Sequence, residues 1–172
     1  MNKRNILYRI IIMMPIVLFC LPVHADSITW HSFNRGYSLA KSLKRPVVID
    51  FYADWCRWCR VMDREVFSDP AVSAFMNKYY VCIRVKTDSP EDIIRYGKHV
   101  LSPGEFSSMM GVSGLPTLVF MDKNGEPVTK VPGYTKKEVF LPLLRYMRDE
   151  CYRKNITFDQ YMTGKTGCAK GD

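Results

Sequence analysis

The sequence predicts an α/β domain: one central mixed sheet with helices on both faces. Three observations predict it. Apolar strand-like runs alternate with stretches carrying a helical apolar stripe. The run at residues 47–53 is nearly continuous, as a strand buried on both faces of a parallel or mixed sheet requires. Near the end, two apolar runs flank Asn124-Gly125, a hairpin signal, and one last helix follows.

Each element has its own local reason. Residues 33–44 read as a helix, because Phe33, Tyr37, Leu39, Ala40 and Leu43 form a stripe, and Pro46 ends it. Val47-Val48-Ile49-Asp50-Phe51-Tyr52-Ala53 is the buried strand, and a helix runs from about Cys56 to Phe67. Ser68-Asp69-Pro70 restarts a helix, since proline is tolerated at the first helical position. Residues 80–85 are the next strand. Two further helix starts are expected within 88–110. Ser89-Pro90 precedes Glu91 and Asp92, whose carboxylates suit the positive end of a helix dipole. Ser102-Pro103-Gly104-Glu105 has the spacing of a capping box. Residues 118–121 form a strand, and Lys123-Asn124-Gly125-Glu126 turns into Pro127-Val128-Thr129-Lys130-Val131. Thr135-Lys136-Lys137-Glu138 repeats the capping-box spacing and opens a helix through about Arg153. Thr157 with Gln160 caps a short tail helix.

The chain has 172 residues, 25 Lys and Arg against 17 Asp and Glu, 47% hydrophobic and 24% charged residues. These values exclude a disordered chain, a collagen-like repeat and a multi-span membrane protein. Lys3, Arg4 and Arg9 precede an apolar run at 10–21, and Val23-His24-Ala25 offers a small residue for cleavage. A basic stretch, a short apolar stretch and a small-residue exit make a secretory signal peptide. The run is short for a membrane span and is interrupted by Pro15. Phe19 is bulky where a lipoprotein signal has a small residue before its cysteine. The expected organisation is a signal peptide at 1–25, a domain at 26–153 and a tail at 154–172. Cleavage removes three cations and leaves a mildly basic domain, which does not call for nucleic acid as a partner.

Export places the remaining cysteines, Cys56, Cys59, Cys82, Cys151 and Cys168, in an oxidising compartment. Cys56 and Cys59 flank Arg57-Trp58 where the buried strand gives way to a helix. Residues i and i+3 share one side of a helix, so the two sulfurs can close a small ring. Backbone N–H groups at the helix start favour the thiolate of Cys56, and Arg57 adds a positive charge. Cys56 is expected to be the nucleophile, and Cys59, one turn in and more buried, the resolving thiol. Two static readings compete. Zinc needs four ligands, and the exported chain offers only His31 and His99 as imidazoles. A static disulfide gains most from closing a long loop. Cys82 reads as a buried inert thiol. Cys151 and Cys168 either bridge and tie down the tail or leave a frayed terminus with a free thiol.

Asp50-Phe51-Tyr52-Ala53-Asp54-Trp55-Cys56-Arg57-Trp58-Cys59 resembles the active-site segment of the thioredoxin superfamily. Gly114-Leu115-Pro116-Thr117 followed by Leu118-Val119-Phe120 is similar to that family's cis-proline loop and next strand, and Val131-Pro132-Gly133-Tyr134 to the segment before its last helix. The match spans about residues 45–150. Glu65-Val66-Phe67-Ser68-Asp69-Pro70 further resembles exported thioredoxin-like proteins and the C-terminal domain of membrane thiol:disulfide interchange proteins. The ending resembles periplasmic thioredoxins associated with sulfur oxidation. Arg57-Trp58 departs from the Gly-Pro of common cytosolic thioredoxins, so the direction of electron flow does not transfer.

The resemblance implies a thioredoxin-like fold and a cis bond before Pro116, opposite Cys56, with the backbone near Leu115 pairing with an extended substrate. Trp55 and Trp58 are expected to shape the substrate-contact surface. Asp50, the only carboxylate inside an apolar strand run, lies where the family keeps a buried acid. Without a fixed partner its pKa should rise, and it would handle a proton during exchange. The alternative is an Asp paired with a lysine or facing water at a sheet edge. Asp54, nearer the strand end, is expected to be solvated. The expected activity is a periplasmic thiol:disulfide oxidoreductase that reduces protein disulfides without a dissolved cofactor, its electrons supplied by a membrane thiol carrier. The rivals are a thiol oxidase of the same fold and a non-catalytic peptide-binding or chaperone module.

Overall fold

The computed structural model describes residues 27–164 and Cys168, so the signal peptide expected at 1–25 lies outside the described residues. In chain order the elements are β1 (Trp30–His31), α1 (Phe33–Leu43), β2 (Val47–Tyr52), α2 (Arg57–Met62), α3 (Pro70–Tyr79), β3 (Val81–Lys86), β4 (Ile94–Tyr96), β5 (His99–Leu101), α4 (Pro103–Met109), β6 (Thr117–Met121), β7 (Pro127–Pro132), α5 (Lys137–Arg148) and α6 (Phe158–Met162). One sheet has the order β1-β3-β2-β6-β7. β1, β3 and β2 are parallel, while β6 and β7 run antiparallel. This is the mixed sheet expected from the sequence. No helix among the described residues is long and apolar enough to cross a membrane.

Strand alternation sorts the core into two layers. Val47, Ile49 and Phe51 of β2 face one layer, closed by Phe33 and Ala40 of α1 and Phe106 of α4. Val48 faces the other, closed by Met62 of α2, Met76 of α3, and Phe140 and Leu144 of α5. By the same parity Asp50 lies on the α2 side. Phe106 and Phe140 are fully enclosed, and truncating either to Ala costs about 3–5 kcal/mol. α1 sits close on the sheet because residue 36 is glycine. A Cβ there would meet Ile83 Cγ1 at 2.4 Å.

Several local signals form the predicted structure. The Asp69 carboxylate accepts from the N–H groups of Ala71 and Val72 at the start of α3, with Pro70 as its first residue. The Ser102–Glu105 and Thr157–Gln160 capping boxes both close, at α4 and α6. The helix expected to reach Phe67 is divided. α2 ends at Met62 and continues as a π turn over Asp63–Phe67, in which Ser68 N–H donates to the Asp63 carbonyl at 3.0 Å.

Three expectations are corrected. No helix starts at Ser89-Pro90; the segment instead forms the β4–β5 hairpin. The Asn34 side chain donates to the Ile93 carbonyl at 2.7 Å and accepts from Arg95 N–H at 2.8 Å. Ile94 is buried and Gly97 turns the chain at φ 59°. Those contacts outweigh two first-turn carboxylates, worth about 0.3–1 kcal/mol each. Thr135 does not cap α5; the N-cap is Lys136, whose side chain makes no capping bond, and Lys137 instead pairs with Asp69 at 2.9 Å. α5 also stops at Arg148 rather than near Arg153, because Glu150 takes a left-handed φ of 52° and a 3-10 turn follows at Cys151–Lys154.

The residues after that turn pack back on the domain. Tyr146 donates its hydroxyl to the Ile156 carbonyl at 2.7 Å, and the rings of Phe158 and Tyr161 lie 5.4 and 5.5 Å from its own. Cys151 and Cys168 are bridged across 17 residues and both are buried. Cys168→Ser is expected to lower the unfolding free energy by about 3 kcal/mol, measured by urea denaturation without reductant; a loss under about 1 kcal/mol would deny the bridge a stabilising role.

Candidate active site

The end of β2 and the start of α2 build the site. Cys56 N–H donates to the Ala53 carbonyl at 3.1 Å, which turns the chain out of the strand. Cys56 then occupies the N-cap of α2 in an extended conformation, and its Sγ accepts from Cys59 N–H at 3.1 Å. A helix start leaves N–H groups without intrahelical partners, and here the cysteine sulfur takes the place usually held by a Ser or Asp oxygen. Cys56 and Cys59 form a disulfide with Cα atoms 5.3 Å apart. The expected difference in burial is absent: each is 4% exposed. The closed ring packs both sulfurs into a cluster with Ala53, against which Tyr52 and Leu115 lie.

Leu115 and Pro116, joined by a cis peptide bond, precede β6. The Pro116 carbonyl accepts from Gly133 N–H at 2.8 Å, and the Thr117 hydroxyl donates to the Gly114 carbonyl at 2.7 Å. This loop therefore sits fixed beside the disulfide. Trp55 and Trp58 each precede one of the cysteines and are 70% and 53% exposed. Trp55 Nε1 donates to Asp88 Oδ2 at 3.0 Å. The Trp58 ring lies 5.6 Å from that of Tyr134, whose hydroxyl donates to Glu65 Oε2 at 2.8 Å. Asp54 is exposed, as expected, and pairs with Lys86.

Asp50 is 1% exposed. It is not without a partner, which corrects the expectation. Arg84, its register neighbour in β3, donates from Nε to Asp50 Oδ2 at 3.0 Å. The second arm of Arg84 goes to Asp63 in the π turn. Oδ1 of Asp50 is buried and has no hydrogen-bond partner. Burial pushes the Asp50 carboxyl up to about 6; Arg84 opposes the rise and the negative charge of Asp63 adds to it. The rise expected for a lone acid thus occurs despite the arginine, because desolvation outweighs a single ion pair. Cys82 is a free buried thiol, and burial pushes it up to about 12.

Sequence reasoning missed Arg84, Asp63, Asp88 and Tyr134. Arg84 had a signal. It is a lone cation within Val81-Cys82-Ile83-Arg84-Val85, as Asp50 is a lone anion in the neighbouring run. Two such residues in adjacent buried strands must pair if the register lets them.

The Asp50 carboxyl keeps its proton to about pH 6 in the folded chain, against an ordinary value of 3.8. Between those values the folded state binds more protons than the unfolded state. This group's share of stability is therefore complete below about pH 4 and is lost as pH rises through about 6. Asp50→Asn is expected to raise the unfolding free energy at pH 7 by about 1–3 kcal/mol and to bring no gain at pH 4. Urea denaturation at the two pH values measures it, and an equal change at both would contradict the assignment.

A family model described as a thioredoxin-like domain matches residues 33–148. The chain is 36% identical over 112 residues to the thiol:disulfide interchange protein DsbD of Vibrio vulnificus, covering 63% of this chain and 17% of that protein. It is 32% identical over 111 residues to DsbD of Escherichia coli, covering 63% and 18%. The chain thus spans under a fifth of the length of these curated relatives. Among solved structures, a thioredoxin from Thermus thermophilus superimposes with a TM-score of 0.59 at 30% identity, covering 71% of this chain and 88% of that one. A thioredoxin-fold protein from Helicobacter pylori has the same TM-score at 18% identity, covering 79% and 83%, and shares the fold. With the Cys56–Cys59 pair at the head of α2, these findings establish that the chain belongs to the thioredoxin-like family of thiol:disulfide oxidoreductases.

Proposed function

We propose that this protein is an exported reductase of protein disulfides. The observation that carries the reading is the N-cap geometry: the sulfur of Cys56 receives a backbone N–H bond from Cys59 and is joined to the Cys59 sulfur. In the reduced protein the same N–H would stabilise negative charge on Cys56.

The chemistry then runs in two exchanges. The Cys56 thiolate attacks one sulfur of a substrate disulfide; an S–S bond forms to Cys56 and the other substrate sulfur leaves as a thiolate. Asp50 takes the proton from Cys59. The Cys59 thiolate attacks Cys56, closes the ring and releases the second substrate sulfur. Two electrons pass from the dithiol to the substrate. A carboxyl with a pKa near neutrality suits that proton transfer. The backbone near Leu115 and the cis Pro116 would receive an extended substrate segment. Trp55 and Trp58 would supply apolar contact around the sulfur.

Periplasmic location rests on the signal-peptide pattern at 1–25, and the Cys151–Cys168 bridge supports an oxidising compartment. Sustained reduction there needs electrons from the cytosolic side, so a membrane thiol carrier is the proposed donor. Similarity to a domain-sized part of the interchange protein DsbD supports exchange with partner thiols.

Cys56→Ser is expected to abolish the protein's acceleration of insulin reduction by dithiothreitol above the rate without protein, and Cys59→Ala to accumulate a mixed disulfide visible on non-reducing gels. Full activity of Cys56→Ser would overturn the catalytic reading in favour of a binding module. A reduction potential of about −270 mV fits a reductase, whereas about −120 mV would make the protein a thiol oxidase.

A further inference from the structure

The described surface carries its positive charge unevenly. Arg64, Lys86, Lys137, Arg148 and Arg153 each pair with a carboxylate. Another set does not. Arg35 in α1, Lys44 at its C-cap, Arg95 and Lys98 in the β4–β5 hairpin, and Lys123 after β6 are all exposed. Their side chains make no hydrogen bond or ion pair with the described residues. Lys41 joins them, its ammonium 5.2 Å from the ring centre of Tyr37.

The fold gathers these cations at one corner. Lys41, Lys44, Lys123 and Asn124 line one hollow. The hairpin reaches the same place. Tyr96 pairs with His99 across the turn that carries Lys98; its ring lies 5.5 Å from that of Tyr37, and its hydroxyl donates to the Gly125 carbonyl at 3.3 Å. The acids nearby are Glu126, whose charge adds to burial in pushing up the hydroxyls of Tyr37 and Tyr96, and Asp122, which Arg153 pairs. Like charges gathered in this way repel one another, and an extended anionic surface relieves the repulsion.

A bilayer fits this face better than an acidic protein does. Leu43, between Lys41 and Lys44, is 51% exposed, and Val100, opposite Arg95 in the hairpin, is 60% exposed. Cations interleaved with exposed aliphatic groups suit a lipid interface, where the cations meet phosphates and the aliphatic groups enter the acyl boundary. The orientation also fits. Val47 pairs with Met121, so Lys44 and Lys123 lie beyond the amino end of β2, whereas Cys56 follows its carboxyl end. A strand of that length spans about 20 Å. The acids Asp88, Glu91 and Asp92 lie between β3 and β4, and Asp88 holds Trp55 at the dithiol end. The domain is therefore basic at one end and acidic at the other.

We propose that the protein docks on anionic phospholipid bilayers through this basic corner, with lipid phosphates at Lys41, Lys44, Lys98 and Lys123, Leu43 and Val100 in the interface, and the Cys56–Cys59 pair directed away from the membrane. Docking holds the protein on the surface where a membrane-bound exchange partner would sit and leaves the dithiol free. Only the choice of membrane rests on the reading of the chain as exported; the docking itself requires neither a direction of electron flow nor an active Cys56.

The test is co-sedimentation of the protein, purified as the cell exports it, with vesicles of phosphatidylglycerol and phosphatidylcholine in equal parts or of phosphatidylcholine alone. Salt is held at about 0.1 M, where charges act over about 10 Å. Binding to the mixed vesicles and not to phosphatidylcholine is expected. Lys44→Gln, Lys98→Gln and Lys123→Gln combined should lower the partition coefficient about a hundredfold. Lys78→Gln, Lys136→Gln and Arg145→Gln combined, which remove the same charge elsewhere, should lower it less than about threefold. Leu43→Ser should lower vesicle binding about threefold and leave binding to polyglutamate unchanged. Near-UV circular dichroism checks the fold of each variant. No binding to the mixed vesicles overturns the proposal, as does equal binding to both kinds or an equal loss in the two triple variants. Capture by polyglutamate without capture by vesicles gives the face to an acidic protein and also overturns it, and so does vesicle binding unmoved by Leu43→Ser. The lysine triple variant should accelerate insulin reduction as the wild type does, so failure of docking and failure of the reductase reading show separately.

Discussion

A strand hydrogen-bonded on both edges and packed on both faces has only its ends to offer to chemistry, and β2 is such a strand. Its carboxyl end passes directly into α2. There the unsatisfied N–H groups of a helix start meet a cysteine sulfur rather than a hydroxyl or carboxylate. That single substitution of cap chemistry turns a structural joint into a reactive one. The strand fixes where the sulfur sits, and in the proposed mechanism the helix start decides which sulfur is favoured as an anion. The loop before β6 is held against the same joint by its own hydrogen bonds, so the disulfide lies between two immobilised segments.

The charge beneath that joint is unfavourable by itself. Asp50 is sealed, one of its oxygens is unpaired, and an arginine only partly offsets its desolvation. Ion pairs that are buried rarely stabilise a fold more than apolar residues of the same volume. A buried titratable group held at a cost in stability is a feature that functional sites share with structural ion pairs.

How much of this was legible in the chain follows from the range of each interaction. Capping boxes at Ser102 and Thr157, the proline start of α3 and the Cys-Arg-Trp-Cys joint depend on neighbours within three or four residues, and each forms. Thr135 has the same local pattern and does not cap, because the contact of Lys137 with Asp69 is made across 68 residues. The β4–β5 hairpin was missed for a like reason, since Asn34 holds it from some 60 positions away. Asp50 stood out as a charge in an apolar run, but its partner required the strand register, which no local pattern supplies.

The π turn at 63–67 has a consequence for helical phase. It places one additional residue in the helix between the cysteine-bearing first turn and the buried pair Val66 and Phe67. A turn closed by an i→i+5 bond takes up one residue more than an α turn, so the extra residue is absorbed there and the segments on either side keep about the phase they would have without it. Forcing the same residues into regular α-helical bonding, with none removed, would turn the two halves about 100° out of alignment. Either Val66 and Phe67 would leave the core, or Cys56 and Asp63 would rotate away from β2 and β3. The irregular turn is thus a gear between the part of the helix that anchors and the part that reacts.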